Sequence, residues 1–300
     1  MAGDINDVLL GEKPLQIPQM ESASKNAPIE VDTAFLYEAY TEDNIVDANF
    51  DMNPELITLL GLDEYGKSTF VGSFYHLLRT RESFCGFSLI DTDTIAGFER
   101  RLYLRTLNDE GKSEVKRTRR KKGSLLNLRL IDSDNNPRHI LLSDGAGETY
   151  RECLSKDSIV MEQIAVKAAN RLLIFVNCEE FNDVTKPWKE DLKALLKRFD
   201  DNSMLPENAT VYVVLNKFDK ASEISPETIE SYINEVKSII EKHLAIEDNS
   251  IFKVNSKGLL ADNIDKGLTN LISEILKPVQ VNRSLYKDLD WISNVIKDNK

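Results

Sequence analysis

Cysteine and histidine are scarce in this sequence of 300 residues, which holds three of each. The cysteines lie far apart and form no CxxC pair, so neither a disulfide framework nor a zinc site is predicted. The simplest interpretation is that each is a buried small residue. No nucleophile–base pair and no paired-carboxylate site stands out among the remaining side chains.

Long apolar runs are also absent, and no segment approaches the roughly 18 residues that a membrane span requires. The first residues, Met-Ala-Gly-Asp, lack the basic and apolar regions of a secretory signal. The formal net charge of −12 argues against a general binder of nucleic acid or of membrane surfaces. We therefore expect a cytoplasmic protein that has no membrane span and does not bind nucleic acid.

The hydrophobic share of 41% is ordinary for a globular protein and supplies enough material for a core. From residue 51 to residue 278 the pattern alternates between strands and helices, which predicts one three-layer α/β domain. Its sheet is expected to be mostly parallel, with one antiparallel hairpin strand. Residues 1–50 are predicted to form an arm, partly disordered or docked on a partner, and residues 279–300 a C-terminal helix.

Hydrophobic spacing predicts the separate elements of this domain. The predicted strands are 55–60, a strand-like 98–107, a hairpin of 125–131 and 139–142, 171–177, 210–215 and 251–254. The predicted helices are a short one at 34–40, then 67–80, part of 156–170, 189–199, 225–244 and 262–276.

The organising stretch runs from Ile57 to Thr69, where an apolar strand leads into Gly61, Gly66, Lys67 and Ser68. This is the G-x-x-x-x-G-K-[ST] pattern of a loop that binds phosphate between a strand and a helix. Backbone N–H groups of such a loop point at phosphate oxygens, and the lysine reaches the β- and γ-phosphates. The hydroxyl of Ser68 is placed to bind Mg²⁺.

A second strand ends in Asp-x-x-Gly at Asp144 and Gly147. The carboxylate can hold Mg²⁺ through a water molecule, and the glycine N–H can sense a γ-phosphate. A third strand ends in Asn216-Lys217-Phe-Asp219. One carboxylate accepts from both N1–H and N2–H₂ of guanine, and adenine has no such donor pair, so Asp219 predicts a guanine site.

A weaker signal follows the strand at 251–254, where the backbone near Ser256 and Lys257 can contact the guanine base. In this order, the motifs resemble those of the translation-factor-related (TRAFAC-class) P-loop GTPases. The Asp-x-x-Gly-Glu form and the stretch Thr94-Ile-Ala-Gly-Phe-Glu99 resemble the bacterial double-GTPase families in particular. The resemblance implies a GTP-binding molecular switch, a GTPase that uses Mg²⁺. It also implies a role in bacterial signalling or conflict and defence beside a protein partner: a second GTPase, an effector or an activating protein.

Carried over residue by residue, the resemblance implies three groups of site residues. The catalytic candidates are Lys67, Glu148 and Thr94, and the candidates for binding the metal are Ser68, Thr94 and Asp144. The candidates for binding GTP or GDP are Gly61, Asp63, Glu64, Tyr65, Gly66, Lys67, Ser68, Thr69, Gly147, Asn216, Lys217, Asp219, Ser256 and Lys257. Thr92 is the alternative to Thr94 as the threonine of the first switch, and either is otherwise a plain turn residue.

Two departures from the Ras-like pattern affect function. Glu148 stands where Ras-like proteins carry the glutamine that orients the attacking water, so intrinsic hydrolysis is expected to be slow. The long spacing between Lys67 and Asp144 implies an insertion, which contains the basic run Lys116–Lys122. That run is a solvated loop, a binding site for an acidic partner or the source of a catalytic arginine.

Two rival functions stay open beside the GTP switch. One is a nucleotide-bound scaffold with little hydrolysis, working as half of a GTPase pair. The other is an ATP-using P-loop protein.

Overall fold

The structure is a computed structural model, and it describes residues 38–41, 44–45, 54–107, 124–183, 185–257, 259–260 and 263–278. The strands are β1 Glu55–Leu60, β2 Phe87–Asp91, β3 Leu125–Asp132, β4 Pro137–Ser143, β5 Arg171–Asn177, β6 Thr210–Asn216, β7 Ile251–Val254, β8 Leu259–Leu260 and β9 Asn263–Ile264. The α-helices are α1 Lys67–Thr80, α2 Ile95–Leu107, α3 Gly147–Cys153, α4 Asp157–Met161, α5 Ile164–Lys167, α6 Trp188–Asp201, α7 Pro226–Ile240 and α8 Lys266–Ile275. Short 3-10 helices cover Cys178–Asn182 and Phe218–Ala221.

Seven strands form one sheet in the order β2-β3-β4-β1-β5-β6-β7. Strand β3 is antiparallel to both of its neighbours, β2 and β4, and the other neighbouring pairs are parallel. The predicted α/β class, with a mostly parallel sheet and one antiparallel hairpin strand, is therefore confirmed. Strands β8 and β9 form a separate two-stranded ribbon.

The centre of the sheet is apolar because its strands are covered on both faces. Every residue of β1 and of β5 is buried, and so are all residues of β6 after Thr210. This is the pattern expected for parallel strands between two helical layers. The helices form two groups of contacts, one of α1 with α2 and the other of α6 with α3 and α7.

The strand order brings the predicted motifs together. After β1 the chain goes to one side of the sheet to reach β4, and from β5 onward it goes to the other side. The crevice at such a reversal is where open α/β sheets bind ligands. The predicted phosphate loop, residues 61–66, follows β1, and Asp144 follows β4. Asn216 ends β6 and Ser256 follows β7, so all four lie at the carboxyl edge of the sheet.

Element boundaries agree closely with the sequence at the first strand, the first helix and the hairpin. The segment 98–107, predicted to be strand-like, is instead the main part of helix α2. Ile95, Phe98 and Leu102 recur at helical spacing. The ring of Phe98 stacks on Tyr75 of α1 at 4.6 Å, so packing between helices determines this segment.

Three further helices differ from the prediction. The single helix expected within residues 156–170 is the pair α4 and α5, and helix α3 precedes it. Helix α8 begins at Lys266 instead of residue 262, because the side chain of Asp265 accepts a hydrogen bond from the N–H of Leu268 at 2.7 Å and caps it. Helix α7 ends at Ile240, four residues before the predicted end.

The predicted arm is described only at residues 38–41 and 44–45. Tyr40 is not helical as predicted; it exchanges two backbone hydrogen bonds with Leu125, at 2.8 and 2.9 Å, and is buried against the main domain. The rest of the predicted helix at 34–40, the basic run Lys116–Lys122 and the predicted C-terminal helix lie outside the described residues. No helix in the part of the chain that the structure describes is long and apolar enough to cross a bilayer.

Candidate functional site

Residues 61–66, between β1 and α1, are the predicted phosphate loop. Gly66 has a φ of 83°, in the left-handed region that favours glycine. A Cβ added at Gly66 would lie 2.1 Å from Nδ2 of Asn216, so a side chain is excluded here on two grounds. Asp63, Glu64 and Tyr65 complete the loop, and Ser68 lies in the first turn of α1.

The Lys67 side chain folds back over this loop. Its Nζ donates hydrogen bonds to the carbonyl oxygens of Gly61 at 2.6 Å and Leu62 at 2.9 Å. Burial lowers the pKa of Lys67 to about 8, although the carboxylates of Asp144 and Asp63 act in the opposite direction. A buried ammonium that donates to carbonyl oxygens of the loop is also a strong donor for a phosphate oxygen brought to that loop.

Ser68 and Asp144 meet where Mg²⁺ is expected. The hydroxyl of Ser68 donates to Oδ2 of Asp144 at 2.8 Å, and the other oxygen, Oδ1, is buried without a hydrogen-bond partner among the described residues. A buried carboxylate oxygen with free lone pairs is suited to accept from a metal-bound water. The described residues contain no cluster of three His, Cys, Asp or Glu side chains suited to a metal. A hydroxyl and one carboxylate fit Mg²⁺, which takes its remaining ligands from phosphates and water.

Gly147 packs directly on the phosphate loop. A Cβ added there would lie 2.4 Å from both Cα and N of Asp63, so only glycine allows this approach. Glu148 follows in the first turn of α3 and is half-buried. The start of this helix therefore adjoins the loop, and a movement of either one affects the other.

Asn216 joins three loops at the edge of the sheet. Its Nδ2 donates to the carbonyl of Tyr65 in the phosphate loop at 2.8 Å. Its Oδ1 accepts from the hydroxyl of Ser256 at 2.8 Å and from the N–H of Ser256 at 3.2 Å. The hydroxyl of Ser73 on α1 donates in turn to the carbonyl of Ser256. The amide thus fixes the distance between the phosphate loop and the loops predicted to hold the base.

Lys217 and Asp219 follow Asn216 on the exposed side of this edge. Lys217 has a φ of 55°, and its Nζ donates to Oε2 of Glu179 at 2.7 Å. That hydrogen bond lowers the pKa of Glu179. Asp219 is exposed in the 3-10 helix that begins at Phe218, and Lys257 is exposed in the loop after β7.

A protein-family model, Double-GTPase 2, matches residues 55–276. The chain belongs to the Double-GTPase 2 family. Membership makes this region a GTP-binding domain of the GTPase class. No curated protein matches the chain.

Two solved structures show similarity to this Double-GTPase 2 chain. One is Methanosarcina barkeri Roco2 RocCORdC bound to GDP, with 13% identity and a TM-score of 0.39, covering 75% of this chain and 48% of that one. The other is a mutation variant of SsGBP, with 13% identity and a TM-score of 0.38, covering 74% of this chain and 54% of that one. The chain spans about half the length of each.

In this Double-GTPase 2 chain, the two candidate threonines of the first switch are engaged elsewhere in the described structure. The Thr94 hydroxyl is buried, accepts from the N–H of Asn127 at 3.0 Å and lies 3.2 Å from the hydroxyl of Thr92. Thr92 donates to the carbonyl of Asn127 at 2.6 Å. Both therefore fasten the start of α2 to strand β3, and a metal-binding role for either stays a prediction.

Two ion pairs around the site were not predicted. Arg151 of α3 donates to Asp63 of the phosphate loop at 2.5 Å. Partial burial acts to raise the pKa of Asp63, but the hydrogen bond and charge of Arg151 outweigh it, and the pKa is lowered. Arg101 of α2 donates to Asp144 at 2.6 Å. Nothing in a single sequence distinguishes these arginines from their neighbours, because each meets its partner only in the fold.

Tyr150 is a further residue that sequence reasoning missed. Its ring is buried in α3, and Nζ of Lys67 lies 5.5 Å from the ring centroid. A cation at this distance from an aromatic ring is attracted to it. Tyr150 therefore supports the lysine ammonium from the side of α3.

Proposed function

We propose that this chain binds GTP with Mg²⁺, hydrolyses it to GDP and phosphate, and acts as a molecular switch. The observation that supports this best is the position of Asn216, whose amide bonds to Tyr65 on one side and to Ser256 on the other. The Asn216 side chain thereby joins the predicted phosphate loop to the loop after β7, which lies beside the guanine motif. A single nucleotide can then place its phosphates on the first loop and its base at the second.

In this proposal the nucleotide has three zones of contact. The phosphates meet the backbone and side chains of Gly61, Asp63, Glu64, Tyr65, Gly66, Lys67, Ser68 and Thr69, and the γ-phosphate meets the N–H of Gly147. The base lies among Asn216, Lys217, Asp219, Ser256 and Lys257. Asp219 accepts from the two donors of guanine and leaves adenine unpaired, so GTP is bound in preference to ATP.

Ser68 would bind Mg²⁺ directly, Asp144 through a water molecule, and Thr94 in the GTP-bound state. When bound, the ion supplies positive charge to the phosphate oxygens as the bond to the γ-phosphate breaks. Lys67 adds to that charge, and Glu148 orders the attacking water. For Thr94 to take part, its hydroxyl must leave Asn127 and Thr92, which would move the start of α2. Such a movement is what a first switch requires.

A second candidate function is a nucleotide-bound scaffold with little hydrolysis. The carboxylates of Asp63 and Glu148 favour it, because both add negative charge near the expected γ-phosphate. The Asp63 charge is partly offset by Arg151. We propose that in either case the chain works with a second GTPase or another protein in bacterial signalling or conflict. In this proposal residues 51–278 form the GTPase domain, and residues 1–50 and 279–300 flank it.

Single-turnover hydrolysis of GTP with excess protein and Mg²⁺ separates the two candidates. The switch predicts conversion to GDP, abolished in Lys67→Ala and slowed by about 100-fold in Glu148→Ala, which removes the group that orders the attacking water. Glu152→Ala, on the same helix, is the matched control and should hydrolyse at the wild-type rate. Tight GTP binding without turnover, alone or with the partner, would leave only the scaffold. Absence of GTP binding would reject both.

A further inference from the structure

The buried Arg101 forms an ion pair with Asp144, the carboxylate that is expected to bind Mg²⁺ through a water molecule. Nε of Arg101 donates to Oδ2 of Asp144 at 2.6 Å, and the two side chains are 5% and 1% exposed. The same oxygen accepts from the hydroxyl of Ser68 at 2.8 Å. Charges shielded from water in this way interact far more strongly than a surface pair does.

Arg101 also fixes the position of helix α2. Its Nη2 donates to the hydroxyl of Ser124, just before β3, at 2.9 Å, and its Nη1 donates within the helix to the carbonyl of Gly97 at 2.9 Å. Its backbone lies against α1, where a Cβ added at Gly72 would be 3.0 Å from the Arg101 carbonyl carbon. One guanidinium thus connects α2, the start of β3 and Asp144.

We propose that Arg101 is a positioning residue that acts through Asp144 as an internal cation in competition with Mg²⁺. The metal and the guanidinium both draw on the charge of one carboxylate, so binding of either one weakens the hold of the other. Because Arg101 anchors α2, metal binding and the docking of this helix are linked. The inference rests on the proposed Mg²⁺ site and adds a route from that site to the first switch segment.

Thermodynamic linkage determines whether loss of the Arg101 guanidinium raises or lowers the affinity for the metal. If metal binding weakens the Arg101–Asp144 pair, removing the guanidinium must strengthen metal binding, since the coupling between two bound groups is reciprocal. An arginine that only supported the fold would have no such effect. An arginine that only oriented the carboxylate would have the opposite effect, because its loss would loosen Asp144.

The test is a titration of Mn²⁺, a spectroscopic substitute for Mg²⁺, followed by electron paramagnetic resonance with and without GDP. Arg101→Gln, which loses the charge and keeps an amide donor, should bind Mn²⁺ about tenfold or more tightly than wild type. Arg101→Lys keeps the charge and should stay close to wild type. The matched control is Arg79→Gln, which removes a partly exposed ion pair between α1 and Glu99 of α2 and leaves Asp144 untouched.

Unchanged or weaker Mn²⁺ binding in Arg101→Gln overturns the proposal, and so does equal tightening in Arg101→Lys or Arg79→Gln. Failure of wild type and Arg101→Gln to bind Mn²⁺ in either condition also overturns it. Failure of the proposed function is a separate result, because it appears as the absence of GTP and GDP binding. If the nucleotides do not bind, the Mn²⁺ titration without GDP still compares wild type with Arg101→Gln.

A measurement on the wild-type protein covers the case in which Arg101→Gln does not fold. Hydrogen–deuterium exchange of α2 is compared for the GDP-bound protein with Mg²⁺ and with a chelator, and α6 serves as the internal reference. The proposal expects faster exchange in α2 with Mg²⁺ and no change in α6. Equal or slower exchange in α2 with Mg²⁺ overturns it.

Discussion

At the residue scale, the choice of base depends on one carboxylate. Asp219 lies just after Lys217, whose left-handed backbone turns the chain at the end of β6. Replacing Asp219 with asparagine removes the charge and exchanges one of its two acceptor oxygens for an NH₂ donor. We expect Asp219→Asn to weaken GTP binding on the order of 100-fold, since one hydrogen bond to guanine is replaced by two opposed donors and the other no longer goes to a charged group. Xanthosine triphosphate, whose extra carbonyl accepts from the new amide, should bind better than it does to wild type.

Calorimetric titration with both nucleotides measures this exchange of preference. Asp201→Asn is a suitable control, because the pair that Asp201 forms with Lys197 at the end of α6 is exposed and lies outside the predicted site. It should leave both affinities unchanged. A guanine preference that survives in Asp219→Asn would show that the base is recognised elsewhere.

A second prediction at this scale concerns the contact between Gly147 and the phosphate loop. A methyl group at Gly147 would press on the Asp63 backbone, so Gly147→Ala should displace the loop or α3 and weaken GTP binding by about tenfold or more. Gly86→Ala is the control. Gly86 has a φ of 83° but open space around it, so that variant should lose about 1 kcal/mol of stability and no GTP affinity. Equal GTP affinity in both variants and in wild type would contradict the proposed contact.

At the element scale, the end of α8 is held by the buried Arg171 and the half-buried Arg138, at the edge of the sheet opposite the site. Arg171 bonds to Glu55, to the hydroxyl of Tyr212 and to carbonyl oxygens at the end of α8, including that of Glu274 at 2.6 Å. Arg138 bonds to the same Glu55, to the carbonyl of Ile275 at 3.2 Å and to carbonyls just after the helix. Cations suit a helix C-terminus, whose carbonyl groups lack partners within the helix.

Arg171→Met should therefore cost about 3 kcal/mol in the free energy of unfolding, because it leaves a buried carboxylate and several carbonyls with fewer partners. Urea denaturation measures the loss. Arg198→Met, which removes an exposed pair with Asp157, should cost less than about 1 kcal/mol. A similar small loss in both variants would mean that the buried pair contributes little to stability.

The sequence predicts elements well where one interaction dominates. β1, β5 and β6 are apolar runs buried on both faces, and their limits follow from composition. The sequence predicts a strand in place of α2 because the aromatic and leucine residues of 98–107 fit a strand as well as a helix, and packing on α1 selects the helix. The Arg101–Asp144 pair joins positions 43 residues apart, so no local pattern reveals it. The motifs are recognisable in the sequence because the residues of each one lie within a few positions of a strand end.

At the scale of the whole molecule, nucleotide binding should stabilise the entire domain. The site takes residues from the ends of β1, β4, β6 and β7, so a ligand there connects strands from both halves of the sheet. A ligand that binds only the folded state adds about 2.7 kcal/mol at 100 times its Kd. For a domain of this size that corresponds to a rise in Tm of about 5 to 10 °C.

Thermal unfolding with nucleotide and Mg²⁺ therefore tests the base preference, the need for the metal and the stabilisation of the domain in one experiment. GDP and GTP should raise Tm, ATP at the same concentration should not, and a chelator should reduce the shift. Asp219→Asn should lose the shift with GDP and gain one with xanthosine diphosphate, because the fold is intact and only the base contact differs. An equal shift with ATP would instead identify an ATP-using protein, since the phosphate loop alone does not distinguish the two bases.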